Sequence, residues 1–260
     1  MGTLRYVKAS GGLMVRNAAG GSTVEATLSF GDVMYDISTT TIPQALNGVV
    51  YNWRQVYFYR GHDTVEQGYG WVADEFTEEV PAAIPSVIDV ISNDVALSMH
   101  QKLINARYIF QYFRNKRWRT NAIYAMLGNM ETESYLNPGK WQIPNNTANG
   151  YGLTQWTPAT KYINDWLITI KGKTAAEKGY INNQLERIEE EVAGIYAQWD
   201  SSKHSPTMTF SDFTKSNASV EVLAEYFLRC YEQPADINGT LEARKRNANK
   251  WSTLLDIIDY

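Results

Sequence analysis

Residues 122–156 read AIYAMLGNMETESYLNPGKWQIPNNTANGYGLTQW, and this stretch decides how the second half of the chain folds. Ile123, Leu127 and Met130 recur at helical spacing behind Thr120, which is expected to cap a helix that Asn137-Pro138-Gly139 stops. A loop rich in Asn and Gly follows from Pro144 to Gly152. The helix delivers Glu131 and Glu133 at its C-terminal end, where the partial negative charge of the backbone disfavours an ionised carboxylate. Partial burial would raise such a carboxyl further by desolvation. A glutamic acid that keeps its proton near neutral pH is what cleavage of a glycosidic bond needs as a donor. On the residues alone, the plainer alternative of two solvated glutamates at a helix end is favoured.

Outward from this stretch the chain has two grammars. After residue 80, Pro81 and Pro85 bracket a short connector. Ser98 with Gln101 forms a capping-box signal, followed at helical spacing by Leu103, Ala106, Ile109, Phe110 and Phe113. Further helices are expected over Thr157–Ile170, Lys178–Trp199, Ser219–Tyr231 and Leu241–Ile258, with Pro234 closing the third. The first 80 residues instead read as short strands between turn residues: Leu4–Lys8, Leu13–Arg16, Thr23–Leu28, Val33–Ile37, Val49–Tyr59 and Gly70–Ala73, with Gly61-His62-Asp63 as a turn. That spacing suggests a small barrel or sandwich.

Whole-chain properties exclude several classes. The 260 residues are 44% hydrophobic and 20% charged, which rules out wholesale disorder. A net charge of −4 argues against a dedicated nucleic-acid binder. The acidity sits in the first 90 residues, with five basic and ten acidic side chains. No apolar run suits a membrane helix, so no membrane insertion is expected. The N-terminus has no apolar core of a signal peptide. The single cysteine, Cys230, excludes an internal disulfide, and no histidine follows it, against a cysteine peptidase of the cell-wall type. His62, His100 and His204 are isolated, no metal-ligand spacing is present, and no cofactor or metal is expected. Aromatic residues make up 13%, including eight Trp and 17 Tyr, which suits cores and also sugar-binding grooves.

The segment Gly128-Asn129-Met130-x-x-Glu133-Ser134-x-x-Asn137-Pro138-Gly139 resembles the active-site segment of phage tail-associated lysozymes, the tail-knob type of podoviruses. Trp141-Gln142, Gly150-Tyr151-Gly152-Leu153-Thr154-Gln155-Trp156-Thr157-Pro158, Tyr162-Ile163-Asn164 and Phe227…Tyr231-Glu232-x-Pro234 continue the resemblance over roughly 98–255. The resemblance implies a muramidase of the lysozyme and lytic-transglycosylase superfamily that cuts the β-1,4 bond between N-acetylmuramic acid and N-acetylglucosamine in peptidoglycan. It implies Glu133 as the catalytic acid. Substrate-binding residues would be Tyr151, Gly152, Leu153, Thr154, Gln155, Trp156, Trp141 and Glu131, with Tyr151 and Trp156 either walling sugar rings or packing in the core.

Glycosidases of both stereochemical classes use two carboxylates. No Asp or Glu occurs between Ser134 and Asn164. Glu131 lies two residues from Glu133, about 200° around a helix, and should not share its face. Glu232 is a distant candidate whose favoured reading is a structural acid paired with a basic group. A single essential carboxylate is therefore expected. Either a water positioned by groups such as Thr154 and Gln155 attacks, or the sugar's own hydroxyl does, giving an anhydro product.

Leu13-Met14-Val15-Arg16-Asn17 and Gly70-Trp71-Val72 resemble the two sequence marks of bacterial SH3-like domains, small β-barrels common in cell-wall proteins. Tyr51, Trp53, Tyr57, Tyr59, Tyr69 and Trp71 are candidates for an aromatic wall-binding surface, although alternating positions on one strand must include core residues. Docking to other virion tail proteins is the alternative, kept alive by the acidic charge. The expected architecture is two domains: an all-β SH3-like barrel at 1–80, a linker at 81–97, and a mainly α lysozyme-like (α+β) domain at 98–260. The expected place is the phage virion tail, or the host cytoplasm before release as an endolysin. An inactive structural or wall-binding tail protein is the competing reading.

Overall fold

The computed structural model describes residues 2–60 and 66–258, so the turn expected at Gly61-His62-Asp63 lies outside the described residues. Two compact units emerge: residues 1–83 with 98–101 and 254–260, and residues 84–97 with 102–253.

The first unit is an antiparallel sheet of eight strands: β1 (Leu4–Val7), β2 (Leu13–Arg16), β3 (Val24–Leu28), β4 (Val33–Asp36), β5 (Ile42–Leu46), β6 (Val49–Arg60), β7 (Glu66–Ala73) and β8 (Thr77–Glu79). The strands run β3-β2-β7-β6-β4-β1-β8, with β5 on the free length of β6. The sheet is an open path ending at β3 and β8, so the expected closed barrel is not formed by the pairing among the described residues. Val7, Leu13, Val15, Leu28, Met34, Val56, Phe58 and Val72 make its apolar core. On β6 Trp53 and Tyr59 alternate with the core residues Val56 and Phe58 and so lie on the other face, yet both are buried, Trp53 at 2% exposed with its indole N–H donating to the Gln44 carbonyl at 3.0 Å. Both therefore drop out of the wall-binding candidates. Tyr57 and Trp71 are half-buried, and Tyr69 is 71% exposed. At one end of the sheet Arg5 and Arg54 grip Asp36 at 3.2 and 2.8 Å and Asp74 at 3.1 and 2.8 Å. Burying any of these charges alone would cost several kcal/mol, so the network is viable only because each is paired.

The second unit is helical, taking α1 (Met99–Asn115) from residue 102, α2 (Thr120–Ser134), α3 (Ile181–Val192), α4 (Phe210–Lys215), α5 (Val220–Phe227) and α6 (Ile237–Ile258) up to residue 253, with π-helical stretches at Lys161–Ile170 and Leu228–Glu232. The capping box forms, Gln101 N–H donating to Ser98 Oγ at 3.3 Å and Ser98 N–H to Gln101 Oε1 at 2.9 Å. Thr120 is not a cap: it is the first helical residue and Arg119 precedes it without a side-chain bond. The helix expected over Thr157–Ile170 begins at Lys161 and is π-wound, and that expected to Trp199 ends at Val192. Ser219 caps α5 as its sequence suggests, accepting from the Val222 N–H at 3.4 Å. Trp118, Trp166 and Trp251 are core residues, and Trp199 stacks on Phe210 at 4.7 Å. No helix of the described residues is long and apolar enough to cross a membrane.

Candidate active site

The end of α2 is where the quoted stretch becomes geometry. Tyr135 and Leu136 both take left-handed backbone, at φ 57° and 58°, and turn the chain out of the helix. Ser134 Oγ sits near the Met130 carbonyl at 3.0 Å and the Leu153 carbonyl at 2.9 Å, tying the helix end to the Gly152-Leu153 loop 19 residues later. Asn137 Oδ1 accepts from Gly139 N–H at 3.0 Å and Asn93 N–H at 3.1 Å, which fixes the Asn-Pro-Gly turn. A Cβ on Gly139 would stand 2.5 Å from the Asn93 nitrogen, so only glycine fits. The Asn- and Gly-rich loop is clamped at its ends by Gln142 N–H to the Gly150 carbonyl, 2.9 Å, and Gly150 N–H to Gln142 Oε1, 3.0 Å.

Glu133 emerges from this framework into a cleft of about 510 Å³, together with Lys140, Trp141, Gln142, Thr154, Gln155, Trp156, Thr157, Gln198, Glu232, Gln233 and Pro234. That volume lies within the roughly 300–1,000 Å³ of ordinary ligand pockets. The Glu133 side chain is 20% exposed and is held by Arg244 Nη2 at 2.5 Å. Arg244 is buried on α6 and its Nη1 donates to Asn129 Oδ1 at 3.0 Å. Asn129 in turn donates to the Ala125 and Ala224 carbonyls at 2.9 and 3.1 Å, so α2, α5 and α6 are locked at one point beside the carboxylate. Gly128 makes this possible: a Cβ there would meet the Ala248 backbone nitrogen at 2.5 Å.

The expected substrate-binding residues divide. Trp141, Thr154, Gln155 and Trp156 line the cleft with Glu133; Tyr151, Gly152 and Leu153 lie behind it as buried support. Trp156 lines the cleft while packing in the core, stacking on Tyr162 at 4.8 Å and donating its indole N–H to Glu191 Oε1 at 3.1 Å. Gln155 commits its amide N–H2 to the Lys140 and Gly152 carbonyls, at 3.1 and 2.9 Å, and so shapes the loop. Glu131 does not reach the cleft. It is 2% exposed and satisfied by Lys250 Nζ at 2.6 Å, Lys102 Nζ at 3.2 Å and the Trp251 indole N–H at 2.7 Å. Burial works to raise its carboxyl, but the Lys250 and Lys102 charges outweigh that and hold it below the ordinary range. Lys250 is pushed down to about 8, by burial first and by its neighbour Lys102.

Glu232 departs from its expected role. It makes no ion pair among the described residues, it lines the same cleft as Glu133, and its Oε1 is buried without a hydrogen-bond partner. Burial, then the Glu133 charge, hold its carboxyl well above the ordinary range, only partly opposed by Arg244. Sequence reasoning missed Arg244 and Gln184. Gln184 is a buried side chain of α3 that accepts from Leu153 N–H at 2.8 Å and donates to the Pro138 carbonyl at 2.6 Å. Both look in sequence like polar positions on ordinary helices, and their partners lie far along the chain. Of the histidines, His100 stacks on Tyr6 at 3.9 Å and His204 meets Tyr226 edge-on; Cys230 is buried and its thiol is pushed up to about 11 by desolvation.

Residues 104–255 match the family described as phage tail lysozyme. The chain is also similar to a Bacillus phage B103 protein named Morphogenesis protein 1, 44% identical over 149 residues. That alignment covers 56% of this chain and 38% of the relative, so the chain spans well under half the relative's length.

Proposed function

This chain belongs to the phage tail lysozyme family, and from that premise we propose that it cleaves the β-1,4 bond between N-acetylmuramic acid and N-acetylglucosamine in peptidoglycan, with Glu133 as the acid that protonates the leaving oxygen. The observation carrying this reading is a part-exposed carboxyl at a helix end, fixed by a buried arginine, in a cleft walled by two tryptophans and rich in amide side chains. Indole faces and edges suit the apolar faces of sugar rings, and amides suit their hydroxyls. A place in the virion, at the tail, is supported by the family and by the name of the phage B103 relative. The open β-sheet unit, with its SH3-like sequence marks, serves as a module that holds the enzyme to the wall or to other tail proteins.

The test is Glu133→Gln assayed on purified peptidoglycan. Turnover should fall by at least about 100-fold, the usual contribution of a positioned acid, while circular dichroism stays that of the wild type. Retained turnover would sink the assignment. Mass spectrometry of the released muropeptides distinguishes hydrolysis, which leaves a reducing end, from attack by the sugar's own hydroxyl, which leaves an anhydro end.

A further inference from the structure

We propose that Glu232 is the second carboxylate of the cleavage site and works with Glu133 as a pair. The inference rests on the reading of Glu133 above and names the partner which the sequence between Ser134 and Asn164 does not supply.

Both carboxyls line one cleft. Their surroundings differ in a way that divides the roles. Glu133 has the guanidinium of Arg244 at 2.5 Å, and Arg244 spends its other terminal nitrogen on Asn129. Glu232 has no cation to itself, and its Oε1 is buried and unpartnered. It is presented by the π-helical turn Leu228–Glu232, closed by Gln233 N–H to the Leu228 carbonyl at 2.8 Å, with Gln233 in left-handed backbone at φ 48°. Tyr231 points the other way, its hydroxyl 2.5 Å from Glu191 Oε2. The charged and titratable groups around Glu232 are Glu133 from α2, Arg244 from α6, Glu191 from α3 and Tyr231 beside it, with Lys140 on the cleft wall. Glu191 is already engaged by Arg187 at 2.7 Å. One arginine thus faces two cleft carboxyls, and like-charged carboxyls in one site retain a proton between them.

In the resting cleft that proton resides on Glu232. During cleavage it passes to Glu133, directly or through one water, and from Glu133 to the glycosidic oxygen as the C1–O bond breaks and its electron pair goes to that oxygen. The attacking hydroxyl, of water or of the sugar itself, forms the new bond to C1 and gives its proton to the Glu232 carboxylate. Both side chains return to their starting states, and no other reactant is needed.

Two measurements on the full chain test this. Carboxyl ¹³C NMR of glutamate-labelled protein should show the Glu232 carboxyl protonated through neutral pH, told apart from Glu189 and Glu191, whose carboxyls burial also raises. That signal should vanish in Glu232→Gln and titrate at lower pH in Glu133→Gln, where the neighbouring negative charge is gone. On purified peptidoglycan, Glu232→Gln should lose about 100-fold or more in kcat with KM little changed, and its pH–rate profile should lose one limb. Glu232→Asp should recover part of the rate, which a merely structural role would not produce. Wild-type turnover with a wild-type pH profile in Glu232→Gln would overturn the inference while leaving Glu133 as the acid. Absence of a protonated carboxyl traceable to Glu232 would overturn it as well. An inactive wild-type protein would instead overturn the cleavage reading and the catalytic role of the pair together.

Discussion

Two glutamates two positions apart on one helix have opposite fates. Glu133 faces a cleft; Glu131 is sealed among Lys250, Lys102 and Trp251. The difference was legible in the sequence only as a rotation of about 200°, which says that they part company but not which one is buried. The buried one leaves a measurable trace in solution. Lys250 titrates near 8 in the folded protein and near 10.4 unfolded, so between those values the unfolded chain holds more protons. The Lys250 contribution to stability should therefore climb as pH rises from about 8 to about 10, against the opposite contribution of groups such as Cys230, whose thiol is raised in the fold. Urea unfolding across that range should show the wild type gaining stability relative to Lys250→Met, in which the Lys102–Glu131 pair stays balanced. An unchanged slope in the variant would assign the effect elsewhere.

The helices show which signals travel in a sequence. Local chemistry does: the Ser98–Gln101 box and the Ser219 cap form where their spacing put them. Contacts set from a distance do not, which is why β5 and β8 went unseen. β5 carries Pro43 and is mostly exposed, pairing among the described residues with β6 alone, and β8 is three residues of Thr-Glu-Glu. The π winding of Lys161–Ile170 was also hidden, because its buried residues, Tyr162, Ile163, Trp166 and Leu167, span little more than one turn, which either winding brings to one face. Gly128 is the opposite case, a position whose meaning is wholly one of packing. Gly128→Ala would drive a methyl group into the α6 backbone at Ala248. It should cost about 1–3 kcal/mol in unfolding experiments and lower turnover by displacing Arg244. An alanine variant as stable and active as the wild type would show that α6 has room to move.

For the molecule as a whole, every residue lining the cleft comes from the helical unit, so on the proposed function the β unit should affect where cleavage takes place and not its rate. Its exposed Tyr69 and half-buried Trp71 border a second cleft of about 520 Å³ with Asn17, Gln55 and Arg60. Replacing both aromatics by alanine should reduce pull-down on isolated cell walls and leave turnover on soluble wall fragments unchanged. Equal retention of the variant on walls would point to docking on tail proteins. The strand-like spacing of the first 80 residues located this sheet, but the open strand path depends on pairings that no local pattern encodes. The bond between Glu133 and Arg244 spans 111 residues. During synthesis the ribosome therefore releases the acid-bearing helix long before the guanidinium that anchors it. The anchor of the cleft carboxylate arrives late, with α6, and a nascent chain halted ahead of that helix would carry Glu133 without the guanidinium that holds it.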